Sequence, residues 1–518
     1  MQELISHQLV RYLENRGVTH LFGLCGHTNI AVLSALEGST IRFINTRHEQ
    51  IASHAADGYA RAKKETSVVL SHLGPGLTNA STGVANAALD SIPMVVIAGD
   101  IPSYYYGKHP HQEVNLHADA SQWEIYRPFV KRAWRVDTPE LFPEILEKAF
   151  QLAESGRPGP VLVNVPMDFF SRKIDTALFE RVEKHTRKLQ KPSIDDETAR
   201  QIVQTLLDAK TPVIQAGGGV ILADAAEELK AFVDHMGIPV AHSLMGKGVI
   251  PDDHDLVLGM TGFWGTTLVN GKCLNADWVF GVGTRFAEAD CSSWEKEFTF
   301  NFDKSKLIHI DIDSAEIGRN YPAAIGVVAD LKQALKVLNR VAREMLPEGR
   351  RNQALRDEIV AFRKEFVAGN QQFATDDSFP MMPERILAVV REVLPRDAII
   401  TTDVGWNKNG VGQQFPIYTP GSVLTPGGFA TMGFGAPAAL GAKVACPDRV
   451  VVFDPLRVGV TIGSDSSAIA NVLYFDGNPL HAGLSKTYVR GDSIAAYGNR
   501  ARRLDYFGIS LIEDADKL

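Results

Sequence analysis

Glu49 is the carboxylate whose surroundings in this sequence point most directly to chemistry. It follows an apolar segment predicted to be a strand (41–46) and opens an alanine-rich segment (52–60) predicted to be a helix. Small side chains along this helix would let another backbone pack closely against it. Glu49 is therefore either a first-turn acid that faces the helix dipole or a carboxylate with a chemical role. The small-residue surroundings favour a chemical role, because burying an idle carboxylate is costly.

Three further segments have residue types suited to a ligand site. Gly74-Pro75-Gly76-Leu77-Thr78-Asn79 is predicted to form a rigid turn followed by a second alanine-rich helix. Gln112 either hydrogen-bonds a developing alkoxide or a substrate, or is an ordinary loop amide. The run Gly217-Gly218-Gly219 follows a predicted strand and could cradle the phosphate of NAD or another nucleotide, although a lone glycine run is a weak signal. His109, His111 and His117 match no standard zinc spacing.

Apolar strand segments alternate with helical segments along most of the chain, which predicts an α/β fold. Charged segments at residues 172–196 and 346–376 are interpreted as a linker and a helical connector. We predict three doubly wound parallel-sheet domains, of which the first and third are alike and the third is incomplete. Their predicted bounds are residues 1–175, 195–345 and 377–518, the last diverging after residue 452.

In this order, the segments resemble the thiamine-diphosphate-dependent enzymes, and within them the acetolactate synthase group (large catalytic subunit). The resemblance covers about residues 3–452. The motifs that carry it are Phe22-Gly23-Leu24-Cys25-Gly26, Glu49, Gly74-Pro75-Gly76 with Asn79, His111-Gln112-Glu113, the segment 309–318, Thr402-Asp403-Val404-Gly405 and the segment 428–437. Each motif alone is weak, and their order along the chain makes the resemblance specific. It implies pyrimidine-binding, central and diphosphate-binding domains.

The resemblance also implies roles for the candidate residues. Glu49 would protonate the aminopyrimidine ring of thiamine diphosphate, and Gln112 would hydrogen-bond an alkoxide or the substrate. Met432 would support the bent cofactor, and the carbonyl groups of Gly405 and Gly428 would accept hydrogen bonds from its amino group. The other implied cofactor-binding residues are Cys25, Gly74, Pro75, Asn79 and Trp406.

The implied activity is that of a carboligase or decarboxylase of 2-oxo acids such as pyruvate, a transferase or lyase. Homodimers or tetramers are implied, since family members place the glutamate of one subunit against the cofactor held by the other. Lys131 either holds the substrate carboxylate or is a surface lysine. Whether the central domain is flavoprotein-like and binds FAD stays open. The residues that match family positions near FAD are Gly217, Arg285, Asp311 and Glu316.

The resemblance ends after Val452. The family pattern expects Gly-Asp-Gly and two later asparagines, which hold Mg²⁺ on the diphosphate, whereas this chain has Phe453-Asp454-Pro455. Proline has no N–H for a phosphate, and one carboxylate cannot complete an octahedral site. We therefore predict weak binding of Mg²⁺–thiamine diphosphate and a loosely packed segment 453–518, with a frame shift or truncation near residue 452 as the explanation. A catalytically impaired homologue is the alternative function.

The bulk composition excludes several classes of protein. A net charge of −8 gives no support for a nucleic-acid or anionic-membrane partner. The apolar runs are too short for a transmembrane helix, which needs about 18 residues. Four cysteines without a CxxC pair favour a reducing cytoplasm over a disulfide framework.

Overall fold

The computed structural model describes residues 1–114, 122–185, 189–378 and 382–453, and the backbone of two further strands at 458–461 and 471–474. Three main sheets follow one another along the chain, each covered by helices. The predicted α/β class is thereby confirmed. None of the helices in these ranges has the length and apolarity needed to cross a bilayer.

The N-terminal unit is built on a parallel six-stranded sheet. The strands of this unit are β1 (Gln2–Leu4), β2 (His20–Gly23), β3 (Arg42–Asn45), β4 (Ser67–Ser71), β5 (Met94–Asp100), β6 (Ala133–Arg135), β7 (Pro160–Pro166) and β8 (Lys173–Asp175). Strands β1 and β8 form a separate antiparallel pair outside the six-stranded sheet. Its helices are α1 (Ile5–Asn15), α2 (Ile30–Ala35), α3 (Glu49–Lys63), α4 (Pro75–Leu89), α5 (Phe142–Glu154), α6 (Met167–Phe170) and α7 (Ala177–His185). The sheet order is β3-β2-β4-β5-β7-β6. Every residue of β4, β5 and β7 is buried, as the continuous apolar runs predict for a sheet covered on both faces.

The central unit has a different strand order, as predicted. Its strands are β9 (Val213–Ala216), β10 (Val240–His242), β11 (Val257–Met260), β12 (Trp278–Val282), β13 (Lys306–Asp311) and β14 (Ile325–Val328). Its helices are α8 (Asp196–Asp208), α9 (Gly219–Leu222), α10 (Ala226–Met236), α11 (Thr267–Leu274) and α12 (Leu331–Met345). All strands are parallel, in the order β11-β10-β9-β12-β13-β14. This order is typical of folds that bind dinucleotides.

The C-terminal unit begins like the N-terminal one and then departs from it. Its elements are α13 (Gln353–Ala374), α14 (Pro383–Val393), β15 (Ile399–Thr401), α15 (Trp406–Gln414), β16 (Val423–Leu424), α16 (Gly435–Ala445), β17 (Val451–Phe453), β18 (Val458–Thr461) and β19 (Asn471–Tyr474). Parallel β16-β15-β17 repeats the arrangement of β3-β2-β4. Strands β18 and β19 then add antiparallel, where the N-terminal unit adds parallel β5. The third sheet is thus small, in agreement with an incomplete domain.

Two predictions about connecting segments have different outcomes. The charged connector at 346–376 contains α13 and is helical, as expected. The supposed linker at 172–196 instead contains β8 and the whole of α7, whose partly apolar face packs on the N-terminal core through Phe179 and Val182. Most of the segment 453–518, including Asp454, lies outside the described residues, so its predicted loose packing stays a prediction.

Candidate active site

The candidate residues follow the carboxyl ends of neighbouring strands in the N-terminal and C-terminal sheets. In open α/β sheets this edge, near the point where the strand order reverses, is where ligands bind. The residues and the strands that precede them are Cys25 (β2), Glu49 (β3), Gly74, Pro75 and Asn79 (β4), Gln112 (β5), Gly405 and Trp406 (β15), and Gly428 and Met432 (β16). The two sheets share a strand arrangement, β3-β2-β4 in one and β16-β15-β17 in the other. Each of the two units therefore contributes one half of the candidate site.

Glu49 is the first residue of α3 and is only 5% exposed. His48 caps this helix by accepting a hydrogen bond of 3.2 Å from the amide of Gln50. Glu49 Oε2 accepts a hydrogen bond of 3.0 Å from Asn79 Nδ2 on α4. Glu49 Oε1 has no hydrogen-bonding partner among the described residues, and a Cβ on Gly76 would lie 3.3 Å from it. One carboxylate oxygen is therefore fixed, and the other is available to a ligand.

The turn before α4 is fixed by a chain of buried amides. Gly74 has a left-handed φ of 49°, and Pro75 occupies the start of the helix, where its missing N–H costs nothing. The Gly74 amide donates to Gln122 Oε1 at 2.6 Å, and Gln122 Nε2 donates to Asn164 Oδ1 at 2.6 Å. Sequence reasoning missed Gln122 and Asn164, because neither belongs to a recognisable motif.

Gln112 is half-buried and lies against this turn. Its φ is 64°, unusual for a residue other than glycine, and its carbonyl oxygen contacts the Cα side of Gly74. Its side-chain Oε1 lies 2.9 Å from Nε2 of His72, a buried residue that the sequence did not single out. His72 thus adjoins Gln112 and also Gly76, the glycine that lies beside Glu49.

Cys25 contributes its backbone rather than a buried thiol. The residue is exposed, and its amide donates to Asn45 Oδ1 at 3.4 Å, which joins the ends of β2 and β3. The neighbouring Gly26 packs on the His72 ring so closely that a Cβ would lie 2.5 Å from it. The turn at 23–26 therefore forms one side of the pocket around His72.

The C-terminal candidates form an apolar and more exposed surface. Gly405 has a φ of 111° and precedes α15, whose first residue, Trp406, is 45% exposed. Met432 is 80% exposed. Asp403 holds this loop by accepting two contacts, of 3.0 and 2.9 Å, from the amide of Gly433. A long apolar side chain held in the open by a fixed backbone suits a residue that supports a bound ring.

The glycine loop before α16 lies along α3 and α4, the helices that carry Glu49 and Asn79. The amides of Gly427 and Gly428 each donate at 2.9 Å to the carboxylate of Asp90, at the end of α4. Further along, Thr431 Oγ1 lies 3.5 Å from His54 Nε2 on α3. The N-terminal and C-terminal candidates therefore belong to two units that are directly joined.

Arg61 completes this junction. Arg61 belongs to the short basic run 61–64, but its side chain is buried rather than solvated and bonds Asp57 at 2.5 Å and Asp90 at 2.8 Å. Burial raises the pKa of Asp57, and the charge of Arg61 opposes this shift. The sequence shows Asp57 one helical turn before Arg61, whereas Asp90 is distant in sequence, so this pairing has no local signal.

Helices α3 and α16 pack with their backbones in contact, which confirms the expected role of the small residues. The Cα of Gly58 faces the backbone of Ala438, and the Cα of Gly441 faces the backbone of Ala55. A Cβ at either glycine would overlap these backbone atoms. This interface fixes the C-terminal unit against the helix that begins with Glu49.

Lys131 is a structural residue rather than a substrate-binding one. Its Nζ donates to the carbonyl oxygens of Leu152, Ser155 and Arg157 at 2.5, 2.7 and 2.8 Å. All three protons of its ammonium group are therefore donated to carbonyl oxygens at the end of α5. Lysines near helix C-termini commonly make such hydrogen bonds.

The glycine run of the central unit is used mainly in packing. The amides of Gly217 and Gly219 donate to the carbonyl groups of Val282 and Gly283 at 3.0 Å each, so they are not free for a phosphate. Glu316 is ion-paired with Arg157 at 2.6 Å. These contacts weaken the nucleotide-binding alternative, while the strand order of the sheet and buried Asp311 at the end of β13 fit a dinucleotide. Burial raises the pKa of Asp311 to about 6.

Within the described ranges, no group of three or more His, Cys, Asp or Glu side chains could hold a metal ion. The carboxylate of Asp403 is already engaged by backbone amides. Asp454, the one carboxylate of the segment Phe453-Asp454-Pro455, lies outside the described residues.

Comparison with known proteins agrees with this arrangement. Residues 5–121 match the thiamine pyrophosphate enzyme N-terminal TPP binding domain, residues 199–338 match the central domain, and residues 403–454 match the C-terminal TPP binding domain. The chain belongs to the thiamine pyrophosphate enzyme family.

Within this family, the chain is similar to acetolactate synthase large subunits. It is 36% identical over 433 residues to the probable acetolactate synthase large subunit of Methanocaldococcus jannaschii, and the aligned region covers 81% of this chain and 70% of that protein. It is also 36% identical over 453 residues to the large subunit of isozyme 3 of Escherichia coli, covering 86% and 76%. Glyoxylate carboligase of Escherichia coli O157:H7 is 36% identical over 418 residues, covering 78% and 66%. The resemblance inferred from the motifs is thereby confirmed.

Proposed function

We propose that this protein is a thiamine-diphosphate-dependent carboligase that acts on a 2-oxo acid such as pyruvate. The observation that carries the proposal is the Glu49 carboxylate, which is buried, held through one oxygen by Asn79 and, among the described residues, unpartnered at the other. The names of the similar proteins, acetolactate synthase and glyoxylate carboligase, support carboligation as the reaction.

The residues present fit the cofactor at both half-sites. When bound, thiamine diphosphate supplies a carbanion at thiazolium C2 that the protein must orient and activate. Glu49 Oε1 would hold the proton shared with the aminopyrimidine ring, a placement typically worth about 10²–10⁴-fold in rate. Met432 would pack against the cofactor, and the carbonyl groups of Gly405 and Gly428 would accept hydrogen bonds from its amino group. Gln112 would donate a hydrogen bond to a substrate oxygen.

Mg²⁺ is the part of the proposal that the described residues support least. Tight Mg²⁺-dependent binding would require ligands from beyond residue 453, since a bound Mg²⁺ takes carboxylate, substrate phosphate and water oxygens in octahedral geometry. We propose that Mg²⁺ adds little to cofactor affinity in this chain. FAD is proposed as a second cofactor in the central domain, and the strand order of the central sheet supports it. The visible absorption spectrum of the purified protein tests this proposal.

We propose domain bounds of 1–175, 195–345 and 377 onward, a homodimer or tetramer, and a reducing, cytoplasmic setting for the four free cysteines. The oligomer follows from the family's use of a glutamate from one subunit at the cofactor of another. Light scattering tests it; a monomer that binds the cofactor tightly would contradict it.

The experiment that tests the function measures three quantities on the purified chain. Calorimetry gives thiamine-diphosphate affinity with and without Mg²⁺, NMR gives hydrogen–deuterium exchange at C2 of the bound cofactor, and product analysis follows pyruvate. Binding, exchange and a carboligation product support the proposal. Binding with neither exchange nor product would show a catalytically impaired homologue, and absence of binding would refute the function.

A further inference from the structure

His72 lies between the side chains of Thr28 and Gln112, two polar residues that are far apart in the sequence. Its Nε2 lies 2.9 Å from Gln112 Oε1, and its Nδ1 lies 2.8 Å from Thr28 Oγ1. Thr28 is 2% exposed and His72 is 8% exposed. The Thr28 oxygen also accepts the amide proton of Leu73 at 3.3 Å. The three side chains form one buried chain of hydrogen bonds.

The Thr28 hydroxyl determines where the His72 proton lies. A buried hydroxyl without an acceptor loses free energy, and His72 Nδ1 is the acceptor that the described residues place within reach of Thr28. If Thr28 donates to Nδ1, that nitrogen carries no proton, and the neutral ring carries its proton on Nε2. Nε2–H then donates to Gln112 Oε1. The Gln112 amide is thereby fixed with its NH₂ group turned away from His72.

The backbone holds Gln112 in the same position. Its carbonyl oxygen contacts Gly74, and its φ of 64° persists only because the surroundings hold it. The NH₂ group has no hydrogen-bond acceptor among the described residues. His72 also adjoins Glu49 across Gly76, since a Cβ on that glycine would lie 2.9 Å from His72 Cβ and 3.3 Å from Glu49 Oε1. His72 therefore adjoins both Gln112 and Glu49, each of which has one side-chain polar group without a partner in the described part of the chain.

We propose that His72 is a positioning residue that, with Thr28, orients the Gln112 amide so that its NH₂ group donates a hydrogen bond to the substrate oxygen that gains negative charge. This inference rests on the proposed function. Loss of one such donor typically costs about 10²–10³-fold in turnover. His72 acts through Gln112, so its loss should not add to the loss of Gln112 itself.

The first test needs no cofactor. Histidine-ring ¹H–¹⁵N spectra of the apo protein report which nitrogen carries the proton, and the spectrum of His72→Phe assigns the His72 signals by their absence. We expect the Nε2–H form in the parent protein and in Thr28→Ser, and loss of that preference in Thr28→Val. An Nδ1–H form in the parent protein would overturn the proposal.

The second test uses the protein at saturating thiamine diphosphate. We expect His72→Phe and Thr28→Val to lower kcat, by about 10²-fold for His72→Phe, while C2 exchange is unchanged because Glu49 is intact. Thr28→Ser should restore kcat, and His72→Phe should add no further loss to Gln112→Ala. Additive losses, or an equal fall in C2 exchange, would overturn the role of His72. If the parent protein neither binds cofactor nor turns over, the proposed function fails and the role of Gln112 toward a substrate fails with it, whereas the ring spectra still decide the tautomer of His72.

Discussion

The two half-sites differ in how fully the chain completes them. Around Glu49, polar groups of the N-terminal unit are fixed by hydrogen bonds that involve the side chains of Asn79, Gln122 and His72. Around Met432, the backbone is fixed by Asp403, but the side chains are apolar and exposed. The part of the site that handles protons is therefore built before a cofactor arrives, whereas the part that covers it depends on the cofactor or on a partner for burial.

Replacement of Glu49 by glutamine gives the largest expected effect on this comparison. Glu49→Gln keeps size and the contact with Asn79 but removes the shared proton, so C2 exchange should fall by about 10²–10⁴-fold with little change in stability. Exchange NMR on bound cofactor measures the first quantity and denaturant unfolding the second. Unchanged exchange would show that another group activates the cofactor.

The junction between the half-sites is tested at Asp90. Asp90→Ala removes the partner of Arg61 and the acceptor for the amides of Gly427 and Gly428, and breaking a buried charge pair costs about 3–5 kcal/mol. We expect a loss of this size in the free energy of unfolding, together with weaker cofactor binding. Asp224→Ala is the matched control, because its carboxylate is exposed and pairs with Lys64 and Lys332, worth about 0–1 kcal/mol. Equal losses in both variants would refute the junction.

Close packing of α3 on α16 predicts a smaller effect. Gly58→Ala should lower the free energy of unfolding by about 1–3 kcal/mol, because the new methyl group overlaps the backbone of Ala438. The control is Gly369→Ala in α13, where nothing lies within 4 Å, so the same change should stabilise by about 0.5–1 kcal/mol. Opposite signs in thermal unfolding confirm the interface; equal signs contradict it.

His54 gives the smallest effect near neutral pH, and this effect grows as the pH falls. Burial and nearby Arg61 lower the pKa of His54 to about 3, so the unfolded chain binds its proton first as pH falls below about 6.5. The neutral ring therefore contributes stability above that pH, and this contribution falls by up to about 1.4 kcal/mol per unit between about pH 6.5 and pH 3. In His54→Phe, the free energy of unfolding measured with denaturant should decline less steeply with falling pH than in the parent protein. An identical slope would exclude His54 as a source of the pH dependence.

Sequence patterns predicted the units and the main candidates because those features are local. Long apolar runs predicted β4, β5 and β7, and the Gly74-Pro75-Gly76 turn marked the start of α4. Strands β6, β11, β14 and β16 were missed, since each has only two to four residues and β14 alternates in exposure. Short strands have too few positions to show a period.

The missed site residues share a different reason. Asp90, His72 and Gln122 acquire their roles from partners that only the fold brings near, as when Asp90 meets Gly427. No spacing in the sequence records such a pairing. Glu49 was found because its own helix carries the signal, in small residues that other backbones contact.

The exposure of Met432 has a consequence for measuring occupancy. An accessible thioether is converted to the sulfoxide by mild peroxide, and mass spectrometry of the peptide counts the added oxygen. A cofactor seated over this side chain would slow its oxidation, while Met382, which is also exposed, would react at an unchanged rate. The ratio of the two rates is thus a chemical footprint of the loaded site that requires neither turnover nor a label.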